Sequence, residues 1–390
     1  MRRLLVCLPV AVVACGRATV PTPSSGITAD DLRARLVAFA HDTMMGRDAG
    51  TIYDYNATAW IAQQFQSLGL TPAGDSGGWF QTVPGIRPRD ASLRAAPARN
   101  VIAIVPGSDP AVRGEYVSIT AHNDHIGFRH VVVDHDSLRA FNTVVRPLGA
   151  DSPNRPALPA EVGRIRHILD SLRALRPPRP DSIYNGADDD GSGTVALIEI
   201  AQALMKRGAH PRRSILFVSH TAEERGLVGS AWYTDHSTVP IDSIVAEIDV
   251  DMIGRGAATD IKAGGPTYLE VVGLRRLSNE FGDWFEAVNA KEPLPFVFNY
   301  EYDAPGHPEQ YYCRADHYSY ARYGIPSVSL SRGSHMDYHQ VTDEAQYIDY
   351  PDYARLAQLV YDAARFVADA DHAPRLSVAK PTNPHVPCRQ

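Results

Sequence analysis

Tyr116-Val117-Ser118-Ile119-Thr120-Ala121-His122-Asn123-Asp124-His125 passes directly from a β-branched apolar run into a cluster of imidazoles and carboxylates. Tyr116 to Thr120 reads as a buried strand, with the chemistry just beyond its end. The same order recurs downstream. Ser214 to Ser219 reads as a strand and leads to Ala222-Glu223-Glu224, and Ile244 to Val250 leads to Asp251-Met252-Ile253-Gly254. Asn100 to Val105 and Ser327 to Leu330 are further strands. Helical spacing fills the intervals. Thr28 with Asp30 and Asp31 marks a helix start whose face is Leu32, Leu36 and Phe39, and Tyr53 to Leu68 is a helix stopped by Gly69. Gly193 to Lys206, Glu224 to His236, Leu277 to Val288 and Tyr353 to Val367 also read as helices. Alternating strands and helices predict an α/β fold, a three-layer α/β/α sandwich on a mainly parallel, mixed central sheet. In such sheets ligands sit outside the carboxyl ends of the strands.

The expected organisation is a leader (1–15), a tether (16–27), one domain (28–372) and a Pro-rich tail (373–390). Residues 128–182 are Arg- and Pro-rich and too long for an ordinary connection, so they read as an insertion at the rim of the site, with a helix from Glu161 to Leu175. A net charge of -7 with no basic stripe excludes nucleic acid as a partner. In the leader, Arg2 and Arg3 precede an apolar run, Leu4 to Ala14, too short to span a bilayer. Val12-Val13-Ala14-Cys15-Gly16 resembles the bacterial lipoprotein signal, in which Cys15 would carry the lipid; ordinary secretion with cleavage nearby is the other reading. Both export the protein, to the bacterial cell envelope as an outer-membrane lipoprotein facing the periplasm, or outside the cell. Membrane contact is expected only through that lipid. An oxidising compartment permits a disulfide between Cys313 and Cys388 that would pin the tail; two free thiols are the alternative.

Five segments are rich in metal-ligand side chains: 120–125, 186–193 (Gly-Ala-Asp-Asp-Asp-Gly-Ser-Gly), 222–224, 249–254 and 337–343. Each alone is common as surface or satisfied structure. Their positions carry the signal: His122 and Asp251 follow strands, while Asp189 and Glu224 precede helices, and such ends converge on one edge of an α/β sheet. Calcium and magnesium prefer all-oxygen shells, whereas imidazoles mixed with carboxylates suit zinc or a neighbouring transition metal. Five ligands exceed the three of one open catalytic zinc. They fit two zincs sharing a carboxylate, about 3.5–4 Å apart.

In this ordered set, together with Met44-Met45-Gly46-Arg47-Asp48-Ala49-Gly50, Gly69-Leu70-Thr71-Pro72-Ala73-Gly74-Asp75 and Tyr347-Ile348-Asp349, the chain resembles the di-zinc aminopeptidases that include secreted bacterial leucine aminopeptidases and glutamate carboxypeptidases. The resemblance implies a zinc-peptidase, phosphorylase/hydrolase-like fold and a peptide substrate. It implies that His122 and Asp251 hold one zinc, Glu224 and His339 the other, with Asp189 bridging. It further implies Glu223 as general base and Tyr338 as hydrogen-bond donor to the oxyanion. Asp124 would accept the other N–H of the His122 ring, and Asp343 would orient His339. Gly191 and Gly193 are expected to let the backbone turn from Asp189 into the next helix. Asp316-His317 resembles a segment lining the site. His125 and His335 stand beside ligands and are candidate pocket walls. His130, Asp134, His135 and Asp136 read as a solvated loop, and Asp188 and Asp190 as flanks of the bridge.

Alternatives on the same fold are a glutaminyl cyclase with one zinc, a carboxypeptidase, or a binding protein without metals. Tyr338 stands where cyclases carry Trp, and no ligand or base is missing. A carboxypeptidase needs Arg or Lys for a terminal carboxylate, for which Arg314 and Arg332 are candidates. The expected reading is an aminopeptidase; other divalent metals are compatible with the ligands.

Overall fold

The computed structural model describes residues 26–206 and 210–390. Cys15 and the rest of the leader lie outside the described residues, as does the tether up to residue 25. The strands are β1 (Thr71–Pro72), β2 (Phe80–Val83), β3 (Ala98–Val105), β4 (Tyr116–His122), β5 (Gly127–Asp134), β6 (Pro180–Tyr184), β7 (Ser214–His220), β8 (Ile244–Val250), β9 (Tyr268–Val272), β10 (Val297–Asn299) and β11 (Ser327–Ser331). The α-helices are α1 (Ala29–Phe39), α2 (Ile52–Leu68), α3 (His135–Val145), α4 (Pro159–Arg173), α5 (Gly191–Lys206), α6 (Val228–Asp235), α7 (Asn279–Asn289), α8 (His317–Ala321) and α9 (Tyr350–Asp369).

The main sheet runs β1-β3-β7-β4-β8-β11-β9-β10, with β2 also on β3. Its centre, β7-β4-β8-β11, is parallel, and β3 and β9 join it antiparallel. The mixed, centrally parallel sheet is therefore the one expected. Alternation along the strands explains the layers. Val101, Ala103, Val105, Ile215 and Phe217 face one core, packed with Leu36, Phe65, Ile198 and Leu356 from α1, α2, α5 and α9. Ile102, Leu216 and Val218 face the other, with Tyr233 of α6 and Tyr320 of α8. Successive side chains of a strand point to opposite faces, so strands this apolar need cover on both sides.

Local signals set the helix ends. Thr28 caps α1 by accepting the N–H of Asp31, and Gly69 ends α2 in the left-handed conformation. The helix expected from Glu224 begins later. Ala222, Gly226 and Leu227 all have positive φ, so Glu223–Arg225 forms one short turn and α6 starts at Val228. Neither Gly191 nor Gly193 has the positive φ expected of a turn. Gly193 is required for closeness: a Cβ there would lie 2.1 Å from the Val250 carbonyl oxygen.

The insertion is more ordered than its composition suggests. β5 and β6 pair antiparallel as a separate ribbon, α4 lies two residues earlier than expected, and α3 precedes it. His135 and Asp136 are fully buried, contrary to the solvated-loop reading. Asp136 accepts from Arg173 and Arg176, and His135 faces Glu344. His130 does stay exposed, beside Asp90. Cys313 and Cys388 form a disulfide that anchors the tail. Among the described residues no helix is long and apolar enough to cross a membrane.

Candidate metal centre

The parallel strands deliver side chains to one edge. His122 ends β4, Asp251 follows β8, Glu223 and Glu224 follow β7, and Tyr338 and His339 follow β11. Register places the β4 and β8 ends level, because Thr120 pairs with Asp249. Asp189 comes from the loop before α5. The five expected ligands thus meet in space. His122 Nε2 lies 3.1 Å from Asp189 Oδ1 and 3.7 Å from Asp251 Oδ1. His339 Nε2 lies 3.1 Å from Asp189 Oδ2 and 3.3 Å from Glu224 Oε1. The two oxygens of Asp189 thus face different imidazoles.

Four observations test whether these residues fit metal ions. Ligands about 2.0–2.2 Å from a tetrahedral zinc stand roughly 3.3–3.6 Å apart, close to the distances above. Asp189 Oδ2, Glu224 Oε1 and Asp251 Oδ1 are buried with no hydrogen-bond partner, which is costly unless a cation satisfies them. The carboxylates Asp189, Glu223, Glu224 and Asp251 would balance two divalent ions. The field also calls for positive charge. Burial alone would lower the pKa of His339, yet Asp189 and Glu224 push it up to about 10. Burial alone would raise Asp189, yet His125, His122 and His339 hold it well below the usual carboxylate range. The donor set fits transition-metal ions such as zinc.

Asp190 also lies within ligand reach of His122 and Asp251. Its carboxylate is already satisfied by the N–H groups of His122 (3.1 Å), Gly193 (2.8 Å) and Met252 (3.2 Å), so we assign it to backbone positioning. Asp188 similarly accepts the N–H of Gly254 at 2.6 Å.

Two supporting residues act differently from expectation. The His122 Nδ1 partner is the backbone carbonyl of Asp124 at 3.0 Å, while the Asp124 carboxylate stands 3.7 Å away. That carboxylate accepts the N–H of Glu223 at 3.0 Å, because the left-handed turn at Ala222 aims this N–H at it. Asp343 has no contact with His339 among the described interactions. It accepts the N–H groups of Asp188 and Asp189 at 3.0–3.1 Å and so holds Asp189 in place. His335 is buried behind the site, 3.3 Å from Asp188 Oδ2, and forms no pocket wall. Asp316 and His317 are buried beneath the site; desolvation leads the causes that raise Asp316 to about 7. Arg332 is buried against Asp352 and the carbonyls of Gly256 and Gly265, out of a substrate's reach.

A cavity of about 60 Å³ opens beside the centre, lined by Asp189, Glu223, Asp251, Tyr338 and His339 and also by Glu270, Tyr311, Arg314 and Ser329 among others. Burial first, and then Asp316, Asp251 and Glu224, raise Glu223 well above the usual range, against the lowering effect of His122. Tyr338 stacks on His339 with ring centres 3.8 Å apart.

Two residues that residue-by-residue reading missed hold the centre. Arg47 is fully buried and donates to the carbonyls of Asn123 (2.9 Å), Asn185 (2.6 Å) and Gly186 (2.8 Å), tying the His122 and Asp189 loops together. Its only signal was its place in the quoted 44–50 segment. Asp337 is fully buried and accepts from Arg255 (2.7 Å), Thr342 (2.7 Å), Asn142 (3.2 Å) and Arg139. Arg139 and Asn142 belong to α3, so the insertion braces the turn carrying Tyr338 and His339. His339 sits at φ +58 in that turn, a conformation that costs about 1–3 kcal/mol and needs such bracing.

Comparison with known proteins bears on this centre. The chain is 40% identical over 97 residues to aminopeptidase NAALADL1 of Mus musculus, covering 24% of this chain and 13% of that protein. It is 30% identical over 192 residues to leucine aminopeptidase 1 of Paracoccidioides brasiliensis, covering 46% of each. The matches therefore span less than half the length of these curated relatives. Among solved structures, a leucine aminopeptidase precursor from Bacteroides thetaiotaomicron superposes with TM-score 0.57 at 17% identity, covering 89% of this chain and 99% of that one. A glutaminyl cyclase from Porphyromonas gingivalis also reaches 0.57, at 18% identity, covering 86% and 97%. At these identities the likeness concerns the fold, which supports more than one chemistry. The model of peptidase family M28 matches residues 100–364, a span that holds His122, Asp189, Glu223, Glu224, Asp251, Tyr338 and His339, and the chain belongs to that family.

Proposed function

We propose that this protein is a metal-dependent aminopeptidase that removes N-terminal residues from peptides. The observation that carries the reading is the pair of donor sets, His122/Asp251 and Glu224/His339, facing opposite oxygens of Asp189. We assign these five residues as ligands of two zinc ions. When bound, the ions supply Lewis acidity, acidifying a water and polarising the scissile carbonyl. Glu223, held by its N–H on Asp124, takes the proton from the attacking water and passes it to the leaving amine. Tyr338 lines the same cavity and donates its O–H to the developing oxyanion. A free N-terminal ammonium needs an acidic neighbour, and Glu270 lines that cavity. Arg314 lies there too and keeps a carboxypeptidase as the second reading.

Turnover of Leu-p-nitroanilide, against N-blocked peptides with free C-termini, decides between them. Cleavage of only the blocked peptides would refute the aminopeptidase. Zinc content near two per chain is expected; near one would favour a cyclase, and near zero a binding protein. Glu223→Gln should keep both metals and lose activity by about 10²–10⁴-fold. Retained activity would remove Glu223 as the base.

We further propose export, with Cys15 as a lipid-bearing residue or as part of a cleaved leader. The Cys313–Cys388 disulfide supports an oxidising compartment. Labelling with a radioactive fatty acid, compared between the natural chain and Cys15→Ser, tests the lipid.

A further inference from the structure

His125 is fully buried beside Glu224, and neither of its ring nitrogens has a hydrogen-bond partner. Nδ1 lies 2.8 Å from Glu224 Oε1 and 3.6 Å from Asp189 Oδ2. These are the two oxygens that His339 Nε2 faces at 3.3 and 3.1 Å. At 2.8 Å a hydrogen bond from Nδ1 to Oε1 would be expected, yet both atoms are unpartnered, so the two groups are not aimed along a common N–H···O line. With Asp189, their ligand atoms all lie within 4.8 Å of one another, close enough to share an ion.

The ring is held there by backbone. The His125 N–H binds the Arg47 carbonyl at 3.2 Å. Gly186, at φ +54, leaves the space the ring occupies: a Cβ at that position would stand 2.5 Å from His125 Cγ. Any larger residue would push the imidazole off the two carboxylates.

We infer that His125 is a fourth protein donor, through Nδ1, to the ion held by Asp189, Glu224 and His339. The inference rests on the metal centre proposed above and adds an asymmetry to it. The His122/Asp189/Asp251 site keeps three protein donors and an open position, the pattern of catalytic zinc. The Glu224 site acquires four, the pattern of a closed, firmly held ion. The first equivalent of zinc should therefore fill the Glu224 site.

X-ray absorption of the natural protein at one equivalent of zinc counts the imidazoles on that ion without any substitution. Two per zinc are expected, from His125 and His339; one per zinc would overturn the inference. Competition with a chromogenic chelator, comparing the natural chain with His125→Ala, provides the second readout. The substitution should weaken one of two zinc sites by more than about 100-fold, beyond the 10–100-fold cost of losing a group that merely orients a ligand. The other site should stay within threefold. Equal affinities in both proteins would overturn the inference. A natural chain that binds no zinc at all would instead overturn the proposed metal centre.

Discussion

Replacing Arg47 with Met tests whether the centre is assembled by one buried cation. The guanidinium donates three hydrogen bonds of 2.6–2.9 Å to the carbonyls of Asn123, Asn185 and Gly186. Bonds to a charged donor contribute about 1.5–3 kcal/mol each; methionine removes the donor to the Asn123 and Asn185 carbonyls, while the Gly186 carbonyl keeps the N–H of Gly191 at 3.1 Å. Removal of the buried charge offsets part of this; burial already holds the Arg47 pKa below its ordinary value. The net loss should be about 3–5 kcal/mol, the usual cost of breaking a buried polar assembly from one side. A chain of this length unfolds with an entropy near 0.8 kcal/mol/K, so the midpoint should fall by about 4–6 °C. Differential scanning calorimetry of the metal-free protein measures this directly. Zinc content after dialysis should fall as well, because Asn123 adjoins His122 and Gly186 begins the Asp189 loop. Arg47→Lys should recover less than half, since one ammonium cannot match the planar fork. A midpoint shift under about 1 °C with full zinc content would refute the reasoning.

Asp337→Asn leaves Arg139 and Arg255 without their shared carboxylate; a loss of about 3–5 kcal/mol and a fall in kcat greater than any rise in KM are expected, and unchanged kcat would show that the α3 brace is not needed by the Tyr338 turn. Cys388→Ser opens a loop closed over a sequence separation of 75, worth about 4 kcal/mol of chain entropy, so its melting midpoint should drop by about 5 °C; an unchanged midpoint would contradict that role. Glu292 is raised to about 7, chiefly by burial and next by Asp362, so its folded pKa exceeds the unfolded one. That group's contribution is fully present below the unfolded pKa of about 4.5 and is lost as pH rises through about 7. Glu292→Gln should therefore melt above the natural chain at pH 8 and level with it at pH 4.5; a pH-independent difference would exclude the titration.

Much of the centre was legible because its residues occupy fixed places relative to strand ends. A parallel strand carries its last residue to one edge of the sheet, so the positions of His122 and Asp251 just past apolar runs sufficed. The sandwich was legible because Val101 to Val105 and Ile215 to Val218 are apolar on both faces, which demands helices above and below. Other features depend on distant contacts. The helix start near Glu224 was displaced because the backbone turns left-handed at Ala222 and Leu227, letting Glu223 meet Asp124. His135 and Asp136 looked like solvent-facing residues until Arg173, Arg176 and Glu344 closed over them. Asp343 follows His339 closely in sequence, yet it holds the backbone of Asp189.

The sequence by itself determined the layered architecture and the donor types, since these follow from periodicity and from side-chain chemistry at strand ends, and its ordered segments carried the resemblance to the family. Only the tertiary structure decided how the three neighbouring carboxylates are used: Asp188 and Asp190 accept backbone N–H groups, while the two oxygens of Asp189 face different imidazoles. Asp188, Asp189 and Asp190 have the same functional group, and they differ only in what each reaches once the chain has folded.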